Sequence, residues 1–389
     1  ALYRADFTGL SPAIPGEYFV VLGNDTSATF HIHPSVFNAI LEKSLMFFGI
    51  QRCGDTHSHS RGACHLKDGS AEGFDLTGGW HDCGDHFKVS ETLGYAAFVL
   101  SMVYLTYQDK AEDRYGNSYA DTVFTDGIPD VLYEAKIGTD YLLKLYRASK
   151  AKGLIEKGDM FHSVGVGDGD HRYWDLPERQ DAQSSEQGSR DRPVDTSIGA
   201  NTAGIFVAAM ANVAVGYKVY DPAYSDSLIE AAKDIYKNVM MPAFYEQRNT
   251  GGGAYNQFYT GGGPLYDDGA AAALALWYAT KDTTYQYDLY KNDQIFNNAS
   301  NYHYNMDYFR AGFLGNPSGF TPGGWAADYQ NIHSFVLFAL QKMILNDETV
   351  AASYGLSAAE RDTLSKRTMA TFRKVIDNST NDGDSLKNK

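Results

Sequence analysis

The sequence is short of positive charge, with 33 Lys and Arg against 48 Asp and Glu and a formal net charge of −15. No Lys/Arg run offsets the imbalance, so nucleic acid and anionic membrane are disfavoured as partners and a neutral or cationic ligand is favoured. Cysteine is equally scarce, and three thiols cannot build a disulfide framework. No apolar run reaches the roughly 18 residues that a membrane helix needs. Tryptophan numbers only 4, yet 28 Tyr and 21 Phe bring aromatics to 14% beside 38 Gly. Flat rigid side chains and bendable loops suit a sugar-binding cleft. With 43% hydrophobic residues the chain has the composition of a globular protein with a large core. It starts at Ala1 without a signal peptide, so it reads as a processed or cut chain.

Residues 1–34 read as strands: Tyr18 to Leu22, a turn over 23–27, then Ala28 to His33. From residue 35 onward the periodicity is helical. Pro129 opens a helix carrying Leu132, Ala135, Leu142, Leu145 and Tyr146 on one stripe, and Ser357 with Glu360 forms a capping box ahead of Leu364, Thr368, Phe372 and Val375. Segments from Gly204 and from Gly269 are apolar all round, which implies burial on every side. Fully buried and half-exposed helices together predict a mainly α fold of two helical layers, an α/α toroid. Long aromatic-rich stretches at 153–196, 248–265 and 310–326 read as cleft walls; they carry His171, Tyr173, Trp174 and Trp325.

The three cysteines sit in one short segment rich in histidine. Cys53, Cys64, His65 and His81 supply two thiols and two imidazoles, the donor set of a closed tetrahedral zinc site of structural type. A catalytic zinc on His57 and His59 is the rival reading, and reduced core cysteines beside surface histidines are the bland one. In Gly79-Trp80-His81-Asp82-Cys83-Gly84-Asp85-His86 two carboxylates stand three residues apart. In a helical turn that spacing points both at one water, and crowding raises one proton affinity, as a general base requires. The pattern also fits a cation site or a plain turn.

That segment resembles the catalytic motif of glycoside hydrolase family 9, inverting cellulases built on an (α/α)6 barrel. The zinc donors resemble those of the subgroup with an N-terminal immunoglobulin-like module. The segment from Ile128 to Ala135 resembles the family's third helix. Gly167 to Trp174 with Pro177 and Glu178, and Thr321 to Gly324, are similar to its cleft loops. The resemblance implies that residues 1–34 end a β-sandwich module and that 35–389 form the catalytic barrel. It implies Asp85 as general base, Asp82 as holder of the attacking water, and sugar subsites at His171, Tyr173, Trp174 and Trp325. The implied partner is cellulose or another β-glucan, met outside the cell by a secreted enzyme. Three departures stand out. Cys83 takes a place usually held by Ala. The helix after Asp195 lacks the acidic residues with which many relatives bind calcium, which counts against calcium there. The family's acid, a Glu in an Asn-Glu motif, does not occur before Lys389, and fewer long helices are legible than the barrel requires. The barrel is therefore expected to lack its last helices, the remainder lying in a separate chain or fragment, lost to cleavage or falling beyond the given sequence, and Glu348 reads as a capping residue. A glucan-binding protein on a degraded scaffold and a zinc-dependent hydrolase are the alternatives.

Overall fold

The computed structural model describes residues 14–33, 36–56, 58, 61–114, 125–182, 192–250, 265–286, 288–289, 332–366 and 368–369. The chain divides into two units, Ala1–Phe48 and Gly49–Lys389.

In the first unit β1 (Gly16–Tyr18) pairs antiparallel with β4 (Phe30–Ile32), while β2 (Val21–Leu22) pairs with β3 (Asp25–Thr26). The sequence suggests two continuous strands, but the ladder is broken. Ser27 Oγ accepts the Val20 amide at 2.9 Å, so a side chain substitutes for a strand partner and splits the hairpin in two. The turn also shrinks to Gly23 and Asn24, Gly23 supplying the positive φ of 62°. Tyr18 stacks on Phe30 across β1 and β4 at 6.2 Å between ring centres. Helix α1 (Val36–Gln51) follows.

In the second unit buried and half-exposed helices alternate along the chain. α2 (Ser90–Thr106) is followed by α3 (Asp130–Ala151), whose wet stripe is Tyr133, Lys136, Asp140, Lys144, Arg147 and Lys150. After the short α4 (Gly167–Asp170) and α5 (Pro177–Gln180) comes α6 (Ala200–Tyr217), buried on nearly every side. α7 (Pro222–Ile235) is amphipathic, its N-terminus capped by the Asp221 carboxylate, which takes the Tyr224 amide at 3.0 Å. It runs through a π turn, Tyr236–Met240, into α8 (Met241–Tyr245). The π turn lies just ahead of Pro242, whose missing N–H and bulky ring an undisturbed α-helix would not accept. α9 (Leu265–Thr280) is buried again and packs on α6. Contact is close because Gly204 has no side chain: a Cβ there would meet the Asp268 backbone at 2.8 Å. α10 (Thr283–Gln286), α11 (His333–Ala339) and α12 (Glu348–Ser353) complete the labelled helices.

Two sequence expectations are corrected. α6 is 18 residues long and apolar enough to cross a membrane by length and composition, contrary to the reading that no run is long enough. Its 94% burial within the protein is what a core helix requires. The cap of α12 is Asp347, which takes the Val350 amide at 2.9 Å, not Glu348. The Ser357–Glu360 capping box forms as read, with Ser357 Oγ donating to Glu360 Oε2 at 2.7 Å. Phe372 and Val375 lie outside the described residues, as does most of 248–265 and all of 310–326.

Candidate active site and metal cluster

Short bridges, not a regular sheet, gather the cysteine and histidine donors. Arg52 pairs with Trp80 and Gly54 with Cys64, and the Cys53 amide donates to Gly79 O at 2.8 Å. Three chain segments therefore meet with Cys53, Cys64, His65 and His81 pointing inward, all buried, their donor atoms within 4.8 Å of one another. His65 Nδ1 is 3.6 Å from Cys53 Sγ and 3.2 Å from His81 Nε2, which is 3.7 Å from Cys64 Sγ. A tetrahedron with zinc–sulfur bonds of about 2.3 Å and zinc–nitrogen bonds of about 2.0–2.1 Å has N···N edges of about 3.3 Å and N···S edges of about 3.6 Å. The donors fit that figure. Burial keeps the His81 imidazole well below its ordinary pKa, hence neutral. The hydrogen bond with Cys53 draws the Cys64 thiol down to about 7, while burial pushes Cys53 up. Arg61 Nη1 adds a contact of 3.2 Å to Cys64 Sγ. His57 and His59, the rival donors, lie outside the described residues.

One residue beyond His81 the same segment carries the two carboxylates. It is a series of bends, not the helical turn expected, and the bends bring Asp82, Cys83 and Asp85 to within 4.8 Å through their donor atoms. Asp85 is fully buried. Its Oδ1 accepts the Phe87 amide at 3.0 Å and its Oδ2 the Cys83 thiol at 2.7 Å. Asp82 is half-buried, and its Oδ1 accepts from Thr92 Oγ1, on the first turn of α2, at 2.6 Å. Burial pushes the Cys83 thiol up to about 11, so it stays a donor to Asp85. Lys88, buried, holds the preceding segment by donating to Leu76 O at 2.7 Å and Gly78 O at 3.2 Å, and pairs with Asp68 at 2.7 Å.

The 153–196 stretch delivers part of the expected wall. His171 Nδ1 donates to Gly167 O at 2.6 Å, which leaves Nε2 facing Asp85 Oδ2 at 3.5 Å. Trp174 is 66% exposed, its indole N–H bonded to His171 O at 2.6 Å. Its ring lies against Gly84, where a Cβ would come within 2.3 Å of Trp174 Cζ3. Glycine between Cys83 and Asp85 is what lets an aromatic platform rest on the carboxylate loop. Tyr173 is half-buried beside His86, ring centres 6.1 Å apart. Trp325 lies outside the described residues.

Several partners have no signal in the motif itself. Glu134, on α3, accepts from Trp80 Nε1 at 2.8 Å and from Arg52 Nε at 3.2 Å, a buried pair that fixes the tryptophan of the motif. Thr92 and Gln180 are uncharged residues lying outside the motif in sequence, and only the fold brings them in.

With this geometry in place, comparison with known proteins gives a consistent result. The model of the family described as Glycosyl hydrolase family 9 matches residues 37–383. The chain is 28% identical over 257 residues to Endoglucanase 4 of Bacillus sp. (strain KSM-522), covering 63% of this chain and 35% of that protein. It is 31% identical over 251 residues to Endoglucanase B of Cellulomonas fimi, covering 63% of this chain and 21% of that one. The chain thus spans about a third or less of the length of these relatives. Among solved structures it is similar to the cellulase Cel9M of C. cellulolyticum in complex with cellobiose, at a TM-score of 0.58 and 25% identity, over 88% of this chain and 66% of that one. A metagenome-derived glycoside hydrolase family 9 endoglucanase superposes at 0.59 and 23% identity over 95% and 59%. The alternating helices are those of the (α/α)6 barrel that these neighbours share.

Proposed function

Because the chain belongs to glycosyl hydrolase family 9, we propose that it hydrolyses β-1,4-glucosidic bonds in cellulose or a related β-glucan by single displacement with inversion. Asp85 is the general base and Asp82 holds the attacking water. The observation that carries this reading is the placement of Asp85: buried, oriented through both oxygens, and opposed by His171 with Trp174 alongside. A base must be aimed before the substrate arrives, and a sugar ring needs a flat apolar face to lie on. Asp82, less buried than Asp85, is tied to Thr92 by its Oδ1 and stands close enough to Asp85 to address the same water. In an inverting site the acid stands about 6.5–9.5 Å from the base, which leaves that water room. Trp174, Tyr173, His171 and Trp325 are the sugar contacts in this reading.

Cys53, Cys64, His65 and His81 would hold a zinc ion, which with no open position would serve as a structural crosslink. His81 then anchors the residue next to Asp82. The strands β1 to β4 are read as the end of an immunoglobulin-like module. A polymer substrate that cannot enter a cell implies a secreted enzyme.

Proton NMR of a cellooligosaccharide digest tests the mechanism. Inversion releases the α-anomer first, with β appearing only as mutarotation proceeds; β first would rule out inversion. Binding without turnover would favour the degraded-scaffold alternative.

A further inference from the structure

Helix α5 and the residue after it face the metal cluster with a row of acceptors. Glu178 Oε1 takes the Gly62 amide at 2.8 Å and Asp181 Oδ2 the His65 amide at 2.7 Å. Gln180, fully buried, reaches further. Its Oε1 accepts from His65 Nε2 at 2.8 Å and from His86 Nδ1 at 2.5 Å, and its Nε2 donates to Asp170 Oδ1 at 2.9 Å. Asp170 Oδ2 in turn accepts the Val166 amide at 2.8 Å, and Arg192 stands 4.0 Å from its Oδ1. Asp170 ends α4, and the next residue is His171, which faces Asp85.

We propose that Gln180 is a positioning residue, a relay through which metal binding at His65 orders the α4 loop and thereby sets His171 and Trp174 against Asp85. This rests on the zinc and hydrolase readings above. The amide is suited to the place because it accepts from an imidazole N–H and donates to a carboxylate at the same time. Once His65 Nε2 carries the proton given to Gln180, Nδ1 presents its lone pair toward Cys53 Sγ and His81 Nε2, and Nδ1 is the ligand atom. Outer partners of this kind fix a ligand's tautomer and orientation. Glutamate at 180 would keep the acceptor but lose the donor and face Asp170 as a like charge; methionine would keep only the packing.

Hydrogen exchange on the intact chain tests this without any glucan. Chelating zinc from the parent should speed exchange of peptides within 165–175 by about tenfold while peptides of α6 and α9 keep their rates. Zinc-loaded Gln180→Met should show the same acceleration, gain nothing more on chelation, and release zinc to a chromogenic chelator about tenfold faster. Gln180→Glu should retain zinc like the parent yet lose the protection of 165–175. Protection there that ignores the metal in the parent, or that survives in both variants, overturns the relay. So does acceleration spread equally over α6 and α9. A chain that takes up no zinc overturns the metal reading and the relay with it. A relay that passes these tests in a protein without glucan turnover stands, and it is the hydrolase reading that falls.

Discussion

His81 and Asp82 are neighbours in the chain that serve two sites of opposite character. On the His81 side every donor is buried and turned toward the other three, and the outer groups, Arg61 and Gln180, are already bonded to them. On the Asp82 side one carboxylate is buried and aimed while the other is half in water, with an exposed tryptophan over the glycine between them. A closed donor set can hold an ion but leaves no position for a reactant. An open pair can pass a proton to and from water. The difference teaches that one short bent segment can be rigid at one end and open to water at the next residue, because the rigidity is supplied from outside it.

The contrast breaks hardest at Asp85. Asp85→Asn keeps the shape and the Phe87 amide bond but removes the base, and kcat should fall by about 10²–10⁴-fold with zinc content and Tm unchanged. Equal loss from a metal-site change would erase the distinction between the sites. Cys64→Ser is that change. A zinc held at about 1,000 times its Kd contributes about 4 kcal/mol, so stability should drop by that order, and turnover in the surviving folded fraction should fall by about tenfold as the α4 loop loosens, well short of the loss in Asp85→Asn. Immediate loss of activity at unchanged Tm would instead favour a catalytic metal.

A pH slope that belongs to neither site is expected from His333, at the start of α11. Burial holds its pKa down to about 3, so the folded chain keeps it neutral while the unfolded chain binds a proton near 6.5. Its contribution is present above about 6.5 and lost as pH falls toward 3. His333→Leu should therefore flatten the stability curve by up to about 2 kcal/mol at pH 5, measured by denaturant titration. Unaltered acid sensitivity would place the slope elsewhere. The smallest effect is expected from Cys83→Ala. Losing the thiol's bond to Asp85 costs about 1 kcal/mol of orientation, about fivefold in kcat, with zinc retained. An unchanged kcat would show that the Phe87 amide alone aims the base.

Legibility from sequence followed the range of the interaction. The all-apolar runs of α6 and α9, the wet stripe of α3 and the Ser357 capping box depend on neighbours within a turn or two, and periodicity exposes them. The candidate metal donors are legible because all three cysteines of the chain lie in one segment rich in histidine. The reason offered for the carboxylate pair, a helical turn, was not the one the chain uses; bends bring Asp82 and Asp85 together, and a Gly-rich segment carries no period to read. The split of the hairpin has no sequence period because it rests on the Ser27 side chain taking the Val20 amide. Asn201 and Asn212 interrupt the apolar run of α6 while its mean character stays apolar, so its full length is not legible as one run. Thr92, Glu134 and Gln180 lie 10, 54 and 115 positions from the groups they orient, and no local pattern announces such partners.

The Glu134 carboxylate has a consequence for the order of events in synthesis. Its partners Trp80 and Arg52 precede it by 54 and 82 residues. At about 5–20 residues per second, the indole and the guanidinium are made several seconds before the group that fixes them. The motif segment leaves the ribosome ahead of α3 and must wait for it, so the Trp80 end of that segment is fixed only when α3 docks.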